Sequence, residues 1–184
     1  MKQILKITLI VISTLCLCSS CNRKHDLKDT LGKFMSNVII IPDSLSVILD
    51  GNLVAHSSLD MYKDKKLIMF VDSSLCTSCR ISALNNMIEL YELSETDGRF
   101  SVIAIFSPAI NESQYIEEML KHLYFPYPLY IDRNHLFLQI NSIPKDSRFH
   151  NFLIDKEGRI LCVGNPLGNS KLKSVFMAAL NNNN

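Results

Sequence analysis

An apolar run, a polar break and an amphipathic stretch follow one another in the middle of the chain. Residues 66–71 read Lys-Leu-Ile-Met-Phe-Val, a pattern that is typical of a buried β-strand. Polar residues follow, and from Ile81 the apolar residues recur at Leu84, Ile88 and Tyr91. These spacings of three and four residues lie on one face of an α-helix. The pattern therefore predicts a strand–turn–helix unit around which the other elements are arranged.

Further elements flank this unit on both sides. The pattern predicts strands at 37–41, 44–49, 100–106, 127–132, 149–155 and 159–163, and helices at 111–123, 134–140 and 170–180. Tyr115, Met119 and Leu123 mark the expected buried face of helix 111–123. Strands and helices alternate before a closing hairpin and helix. This order predicts an α/β fold with a central, mostly parallel sheet, an antiparallel C-terminal hairpin and helices on both faces.

The turn of the central unit carries two cysteines, Cys76 and Cys79, with C-x-x-C spacing. Cys76 falls at the expected helix N-terminus, where N–H groups without helical partners and the helix dipole favour a thiolate. Cys79 follows within the first turn and can attack a mixed disulfide formed by Cys76. Arg80 adds positive charge nearby. We interpret Cys76 and Cys79 as the catalytic cysteines of a redox-active dithiol.

Half of a zinc site is the main alternative for a C-x-x-C pair. Zinc takes four ligands, usually from a second C-x-x-C or a close histidine pair. Of the six cysteines, only Cys162 lies outside this pair and the N-terminal segment, and the five histidines show no H-x₃₋₅-H spacing. Redox chemistry is therefore favoured, no metal site is expected, and an inert structural disulfide is the remaining alternative. Cys162 alternates with apolar residues on a predicted strand, which favours a buried, unreactive thiol.

Residues 1–20 have the pattern of an export signal. Two lysines precede an apolar stretch at 9–17, and two serines then precede Cys21. The apolar stretch is too short for a stable membrane-spanning helix. The sequence Ser-Ser-Cys resembles a bacterial lipobox, in which the cysteine becomes the lipid-bearing first residue of the mature protein, although Cys18 stands where that motif usually has leucine. We predict a lipid attached at Cys21, with ordinary secretion after cleavage near the same point as the alternative.

The predicted organisation has three parts: a lipoprotein-type signal peptide at 1–20, a tether at 21–36 and one domain at 37–184. Removing the signal peptide takes away two of the nineteen basic residues and none of the eighteen acidic ones, which leaves a net charge of −1. A nearly neutral chain argues against a nucleic-acid partner. Its length suits a single domain with a sizeable core.

Three features together carry a family resemblance: the strand–CTSC–helix unit, the strand Phe100–Phe106, and the segment 152–160, which reads F-L-I-D-K-E-G-R-I. Over roughly residues 67–180 the chain resembles the thioredoxin-fold proteins, especially the exported thiol–disulfide oxidoreductases of the TlpA and redoxin groups. The resemblance implies Cys76 as the nucleophile, Cys79 as the resolving thiol, and no cofactor. It also implies protein dithiols or disulfides as substrates, a membrane electron donor for a reductase, and a membrane-tethered position facing the periplasm.

Some positions depart from the family's pattern. Leu75 stands where the family usually has tryptophan before the first cysteine, and Phe70 occupies the place of a buried acid six residues before that cysteine. The proline that faces the dithiol would fall on Phe149, so Pro144 is the nearest candidate for lining the substrate groove. Two other functions stay open: a non-enzymatic metal- or partner-binding module on the same scaffold, and a redoxin-type peroxide reductase, where Ser73 replaces the usual threonine.

Overall fold

The computed structural model of the protein describes residues 26–54, 63–73 and 77–182; for the helical residues 77–83, 85 and 86 it describes the backbone alone. The chain divides into two units, Met1–Phe34 and Met35–Asn184. No helix within the described ranges is long and apolar enough to cross a membrane.

The described residues of the first unit form a helix, α1, which spans 26–35 and ends at the boundary between the units. In its first turns the Thr30 hydroxyl donates a hydrogen bond to the carbonyl of Asp26 at 2.9 Å. This range belongs to the segment for which the sequence predicts a tether. The division into signal, tether and domain stays a prediction, because residues 1–25 lie outside the described ranges.

The second unit is built on a mixed β-sheet with helices. Its described strands are β1 (Ser46–Leu49), β2 (Asn52–Val54), β3 (Lys65–Val71), β4 (Phe100–Phe106), β5 (Leu129–Ile131), β6 (Asn151–Ile154) and β7 (Ile160–Val163). Its described α-helices are α2 (Thr77–Asp97), α3 (Ser113–His122), α4 (Leu136–Asn141) and α5 (Ser170–Asn181). The strands lie in the order β2-β1-β5-β4-β3-β6-β7.

Strands β3, β4 and β5 form the parallel centre of the sheet. β3 pairs with β4 along its whole length, and β4 pairs with β5 through its last three residues. The four other strand pairings are antiparallel. The predicted α/β fold with its antiparallel C-terminal hairpin is confirmed. The sheet as a whole is mixed rather than mostly parallel, because β1, which lies within the predicted strand 44–49, and β2, which the sequence pattern did not predict, both pair antiparallel.

Alternate residues of the central strands face two apolar layers. Leu67, Met69 and Val71 of β3 belong to a core shared with helices α2, α3 and α5; the helical members of that core include Leu84, Met87, Leu90, Ile116, Leu120, Phe176 and Leu180. Phe70 points to the other face, where its ring lies 5.5 Å from the ring of Phe137 in α4, centroid to centroid. The predicted helices on both faces are therefore present.

The buried face of α3 differs from the prediction. Tyr115 and Leu123 are 63% and 43% exposed, whereas Ile116 and Leu120 are fully buried. The apolar residues of this helix form two stripes, one residue apart, and each has a spacing of four. Periodicity alone does not choose between them. The helix also begins at Ser113, after a 3-10 turn and without a side-chain cap.

The segment 37–41 is not the sheet strand that the sequence predicts. Val38 forms an isolated antiparallel bridge with Arg159. Two residues on, the buried side-chain amide of Asn141 accepts from the Ile40 N–H at 2.7 Å and donates to the Ile40 carbonyl at 2.8 Å. A side chain from α4 thus satisfies backbone groups that a neighbouring strand would otherwise pair, and the segment remains irregular.

Candidate active site

The two cysteines of the C-x-x-C sequence fall, in chain order, at the junction of β3 and α2. β3 ends at Val71, and α2 begins at Thr77, the second residue of that sequence. Cys79 therefore belongs to the first helical turn, although its side chain lies outside the described part of the chain, as does the whole of Cys76. The first turn of α2 contains no acidic residue, so no carboxylate there opposes a thiolate.

The three parallel strands end at the same level, at the sheet edge from which the chain leads to α2. Val71, Phe106 and Ile131, the last residues of β3, β4 and β5, are partners in register. The pairing continues one step further, because the Ser107 N–H donates to the Val71 carbonyl at 2.8 Å and the Asp132 N–H donates to the Phe106 carbonyl at 2.8 Å. Two polar residues thus follow directly on neighbouring strands at this carboxyl edge.

Ser107 holds a histidine at the carboxyl edge. Its hydroxyl oxygen lies 2.9 Å from Nδ1 of His135, a hydrogen bond between residues 28 positions apart in the chain. Ser107 is fully buried and His135 is half-buried. The backbone of His135 is left-handed, with φ 54° and ψ 25°, which is uncommon for a residue other than glycine. The hydrogen bond and this backbone conformation together fix the imidazole between the loops that follow β4 and β5.

Asp132 anchors the other side of the same loop. Its buried carboxylate accepts the N–H of Leu136 at 2.8 Å and the N–H of Phe137 at 2.9 Å. These bonds satisfy backbone donors at the start of α4 that have no partner within the helix. Since α4 begins directly after His135, the histidine is held by the helix on one side and by Ser107 on the other.

The opposite flank of β3 carries His150, which is only 3% exposed. Its carbonyl accepts the Phe70 N–H at 2.8 Å, and the two rings meet edge to face with centroids 5.2 Å apart. His150 Nε2 lies 3.0 Å from the carbonyl oxygen of Pro144. Because a carbonyl only accepts hydrogen bonds, Nε2 carries the proton here. Phe70, at the position of the family's buried acid, is thus packed between two aromatic rings and offers no proton acceptor.

The loop that contains Pro144 leads from α4 to β6. No cis peptide bond occurs among the described residues, so the bond before Pro144 is trans. Further along, the Asp146 carboxylate accepts the Arg148 N–H at 3.0 Å and bonds its guanidinium. The hydrogen bonds from Arg148 lower the pKa of Asp146 to about 2. The loop is therefore anchored by the hydrogen bond between His150 and the Pro144 carbonyl and by the pairing of Asp146 with Arg148.

Arg133, in the loop between β5 and α4, pairs with a buried carboxylate of α3. Its Nε lies 2.7 Å from an oxygen of Glu117, and Lys121 Nζ lies 3.0 Å from the other oxygen. Burial alone would raise the pKa of Glu117, but the hydrogen bonds from Arg133 and Lys121 outweigh it and leave that pKa below its usual range. The stability from this pairing is therefore present above the usual carboxyl range and is lost as the pH falls through the lowered value.

Cys162 is the cysteine whose side chain the structure describes. It lies on β7, paired with Leu153 of β6, and is 5% exposed. Burial raises the pKa of its thiol to about 11. Because the thiolate is the reactive form, this cysteine is unreactive near neutral pH. The prediction of a buried thiol at this position is confirmed.

A cavity of about 380 Å³ lies beside Lys66, at the opposite end of β3 from the carboxyl edge. Ile39, Ile103 and Asp155 are among its lining residues. The cavity is therefore separate from the candidate site. Within the described residues, no three or more histidine, cysteine, aspartate or glutamate side chains are grouped so that they could hold a metal ion.

The structure describes only some of the predicted site residues. Cys21 and Cys76 lie outside the described ranges and Cys79 is described by its backbone alone, so their roles stay predictions, as does the groove role of Pro144. Sequence reasoning missed Ser107 and His135. Each lies in a loop that follows a parallel strand, and ligands of open α/β sheets bind at that edge. The position of both residues shortly after predicted parallel strands could therefore have marked them as candidates from the sequence.

Comparisons with known proteins agree with the fold. No protein-family model and no curated protein sequence matches the chain. Among solved structures, a putative thiol:disulfide interchange protein DsbE from Chlorobium tepidum matches with a TM-score of 0.52 and 18% sequence identity, over 79% of this chain and 98% of that one. AhpC from Enterococcus faecalis matches with a TM-score of 0.51 and 15% identity, over 80% of this chain and 96% of that one. With the observed topology, these similarities show that the chain has a thioredoxin-like fold.

Proposed function

We propose that the protein is a thiol–disulfide oxidoreductase that uses Cys76 and Cys79 to reduce or exchange disulfides in proteins of the bacterial cell envelope. The observation that carries the proposal is the junction of β3 and α2. A helix of 21 residues begins inside the C-x-x-C sequence and is the next described element after β3, one of the three parallel strands. A cysteine immediately before such a helix start gains from the helix dipole as a thiolate and loses nothing to an acidic first turn.

The proposed reaction has two exchanges. The Cys76 thiolate attacks a substrate disulfide, forms a mixed disulfide and releases one substrate thiolate. Cys79 then loses its proton and attacks the Cys76 sulfur, which forms the Cys76–Cys79 disulfide and releases the second substrate thiolate. Two electrons pass from the dithiol to the substrate. The reverse sequence oxidises a substrate dithiol, and the reduction potential of the pair sets the direction.

The proposal includes a place in the cell. The sequence pattern before Cys21 supports export and attachment to a membrane through an N-terminal lipid, with the domain facing the periplasm. In this setting a reductase requires a membrane electron donor, because the periplasm is kept oxidising. The nearly neutral mature chain supports protein partners rather than nucleic acid.

Alkylation kinetics test the dithiol directly. In the full-length Cys162→Ala variant, the rate of iodoacetamide addition to Cys76 is measured from pH 4 to pH 10, with mass spectrometry to identify the site. We expect a thiol that titrates clearly below the ordinary cysteine value of about 8.5. A thiol that titrates at the ordinary value would refute the proposal. Stoichiometric metal on the purified protein that protects both cysteines would instead support the binding-module alternative.

Lipid attachment is tested separately. The full-length protein and its Cys21→Ser variant are expressed in a bacterial host that is fed radiolabelled palmitate. We expect label and membrane fractionation for the unmodified protein, and neither for the variant. Equal labelling of both would contradict a lipid on Cys21.

A further inference from the structure

We propose that the cavity beside Lys66 binds a small aliphatic carboxylic acid in its ionised form. The cavity lies at the opposite end of β3 from the carboxyl edge, and the proposal does not depend on the dithiol chemistry. Its volume of about 380 Å³ is near the lower end of the range for ligand pockets, about 300–1,000 Å³. The cavity therefore suits a ligand that is smaller than a typical drug.

The cavity has a buried apolar floor. Ile39, Ile103 and Ile154 line it, and each of these side chains is at most 4% exposed. Ile103 and Ile154 belong to β4 and β6, the two strands that pair with β3, and Ile39 belongs to the irregular segment 37–41. Such a floor favours the hydrocarbon chain of a ligand, because binding removes apolar surface on both sides from water.

The segment that carries Ile39 is held in place by hydrogen bonds. The Ile39 N–H donates to the Gly158 carbonyl at 2.8 Å. At the next residue, the side-chain amide of Asn141 accepts from the Ile40 N–H at 2.7 Å and donates to the Ile40 carbonyl at 2.8 Å. This wall of the cavity is therefore preformed, and a ligand would not bear the entropic cost of ordering it.

Two consecutive lysines begin β3, and their side chains extend to opposite faces of the sheet. Lys65 Nζ donates to the carbonyls of Ala179 and Leu180, at 3.1 and 2.8 Å, in the last turn of α5. Lys66, in contrast, is only 9% exposed and lines the cavity. An ammonium carries three N–H donors, so it can bond a ligand in addition to a partner within the protein. Lys66 thus supplies a buried cation to the cavity.

The acidic residues of the cavity do not compete with a ligand for this cation. The Asp155 carboxylate accepts from Arg159 Nε at 2.6 Å, and Glu157 accepts from the same guanidinium at 3.1 Å. Burial alone would raise the pKa of Asp155, but the hydrogen bonds from Arg159 outweigh it and leave that pKa below its usual range. Asp43 is exposed at the rim, where solvent screens its charge.

These features together select the chemistry of the ligand. The isoleucine floor favours an aliphatic chain, and the Lys66 ammonium favours a carboxylate, because a charge-assisted hydrogen bond is about twice as strong as a neutral one. A cationic ligand of the same shape would bring like charge to a buried ammonium. A neutral ligand would form only the weaker hydrogen bond.

A titration followed by methyl NMR tests the proposal. 4-Methylpentanoate is added at pH 7 to the full-length protein, whose isoleucine methyl groups are labelled with carbon-13. We expect saturable shifts at Ile39, Ile103 and Ile154, with a Kd of about 1 mM or tighter. Ile116 and Ile131, which belong to the core on the other face of the sheet, are internal controls and should not shift.

Two further ligands isolate the contribution of charge. 4-Methylpentan-1-ol and 4-methylpentylamine share the carbon skeleton of the acid, and we expect both to bind at least about fivefold more weakly. This comparison uses the unmodified protein, so it does not depend on whether any variant folds. Equal affinity for the three ligands would overturn the proposal, as would shifts confined to residues outside the cavity or no binding of the acid at about 10 mM.

Lys66→Met removes the charge and keeps an unbranched side chain. We expect it to bind the acid at least about tenfold more weakly, with less than about twofold change for the alcohol. Lys156→Met is the matched control, because Lys156 lines the same cavity but its side chain is 64% exposed. Its affinity for the acid should stay within about twofold of the unmodified protein. A Lys66→Met variant that keeps the isoleucine methyl spectrum and the full affinity for the acid would refute the role of this lysine.

Discussion

Gly158 allows one energetic prediction to be worked out from the structure. It lies in the turn of the hairpin β6–β7 with φ +82°, a conformation that side chains other than glycine's rarely adopt. Its carbonyl accepts the Ile39 N–H at 2.8 Å. A Cβ added at Gly158 would lie 2.3 Å from the Ile39 carbonyl oxygen, a distance that no pair of nonbonded atoms of this kind tolerates. The backbone at residue 39 would have to move, and its hydrogen bond would be strained or lost.

The expected cost of Gly158→Ala has two parts. A left-handed backbone costs an alanine about 1–2 kcal/mol. Displacing the segment at Ile39 leaves a buried backbone group without its partner, which costs about 1–3 kcal/mol more. We therefore expect a loss of about 3 kcal/mol or more of unfolding free energy. Gly98→Ala separates the two parts, because Gly98 has φ +76° with nothing within 4 Å of its added Cβ. That variant should lose only about 1–2 kcal/mol.

Urea unfolding of the two variants and the unmodified protein, followed by circular dichroism, gives both losses. The slope of free energy against urea must be equal in all three for the comparison to hold. At this chain length a difference of about 2 kcal/mol between the variants corresponds to about 4–8 °C in Tm. A Gly158→Ala variant that is no less stable than Gly98→Ala would refute a clash between residues 158 and 39.

Three further predictions follow from buried polar groups. Arg133→Met should cost about 1 kcal/mol at pH 7 and progressively less as the pH falls through the lowered pKa of Glu117 and the carboxylate is protonated; urea titrations over a series of acid pH values check this, and a loss that does not shrink with falling pH would contradict it. Asn141→Leu should cost about 1–3 kcal/mol in the same assay, because it removes two partly buried hydrogen bonds to the backbone of Ile40, and a loss under about 0.5 kcal/mol would refute that role. Cys162, in a variant with the other cysteines of the domain replaced by serine, should resist iodoacetamide at pH 8 until urea unfolds the chain; modification of the folded protein would contradict its burial.

The central strands and the cysteine helix could be predicted from the sequence because their patterns are local. β4 is an almost continuous apolar run that was predicted as a strand, and the structure buries it on both faces. In α2, Leu84 and Tyr91 of the predicted face are buried and Ile88 is half-buried, while Met87 and Leu90, which the pattern did not single out, are fully buried.

The sequence pattern did not predict features of the fold that depend on contacts between residues far apart in the chain. In α3 two apolar stripes have the same spacing, and the buried stripe lies beside Glu117, whose partner Arg133 is sixteen residues away in the chain. The irregular path of residue 40 depends on Asn141, which is 101 residues away.

The candidate site likewise has a local part that the sequence could predict and a non-local part that it could not. The C-x-x-C sequence is a contiguous motif, so it could be recognised without a structure. Ser107 and His135 come together only because β4 and β5 are neighbours that end in register. No spacing within the sequence signals that pair.

The reduction potential of the Cys76–Cys79 pair is the most direct test of the central claim. The full-length protein is equilibrated with glutathione or dithiothreitol buffers of known ratio, and free thiols are trapped with an alkylating reagent and counted by mass spectrometry. We predict a single reversible two-electron couple that disappears in Cys76→Ser and in Cys79→Ser but persists in Cys162→Ala. The absence of a reversible couple in the unmodified protein, or a couple that survives loss of either cysteine, would contradict it.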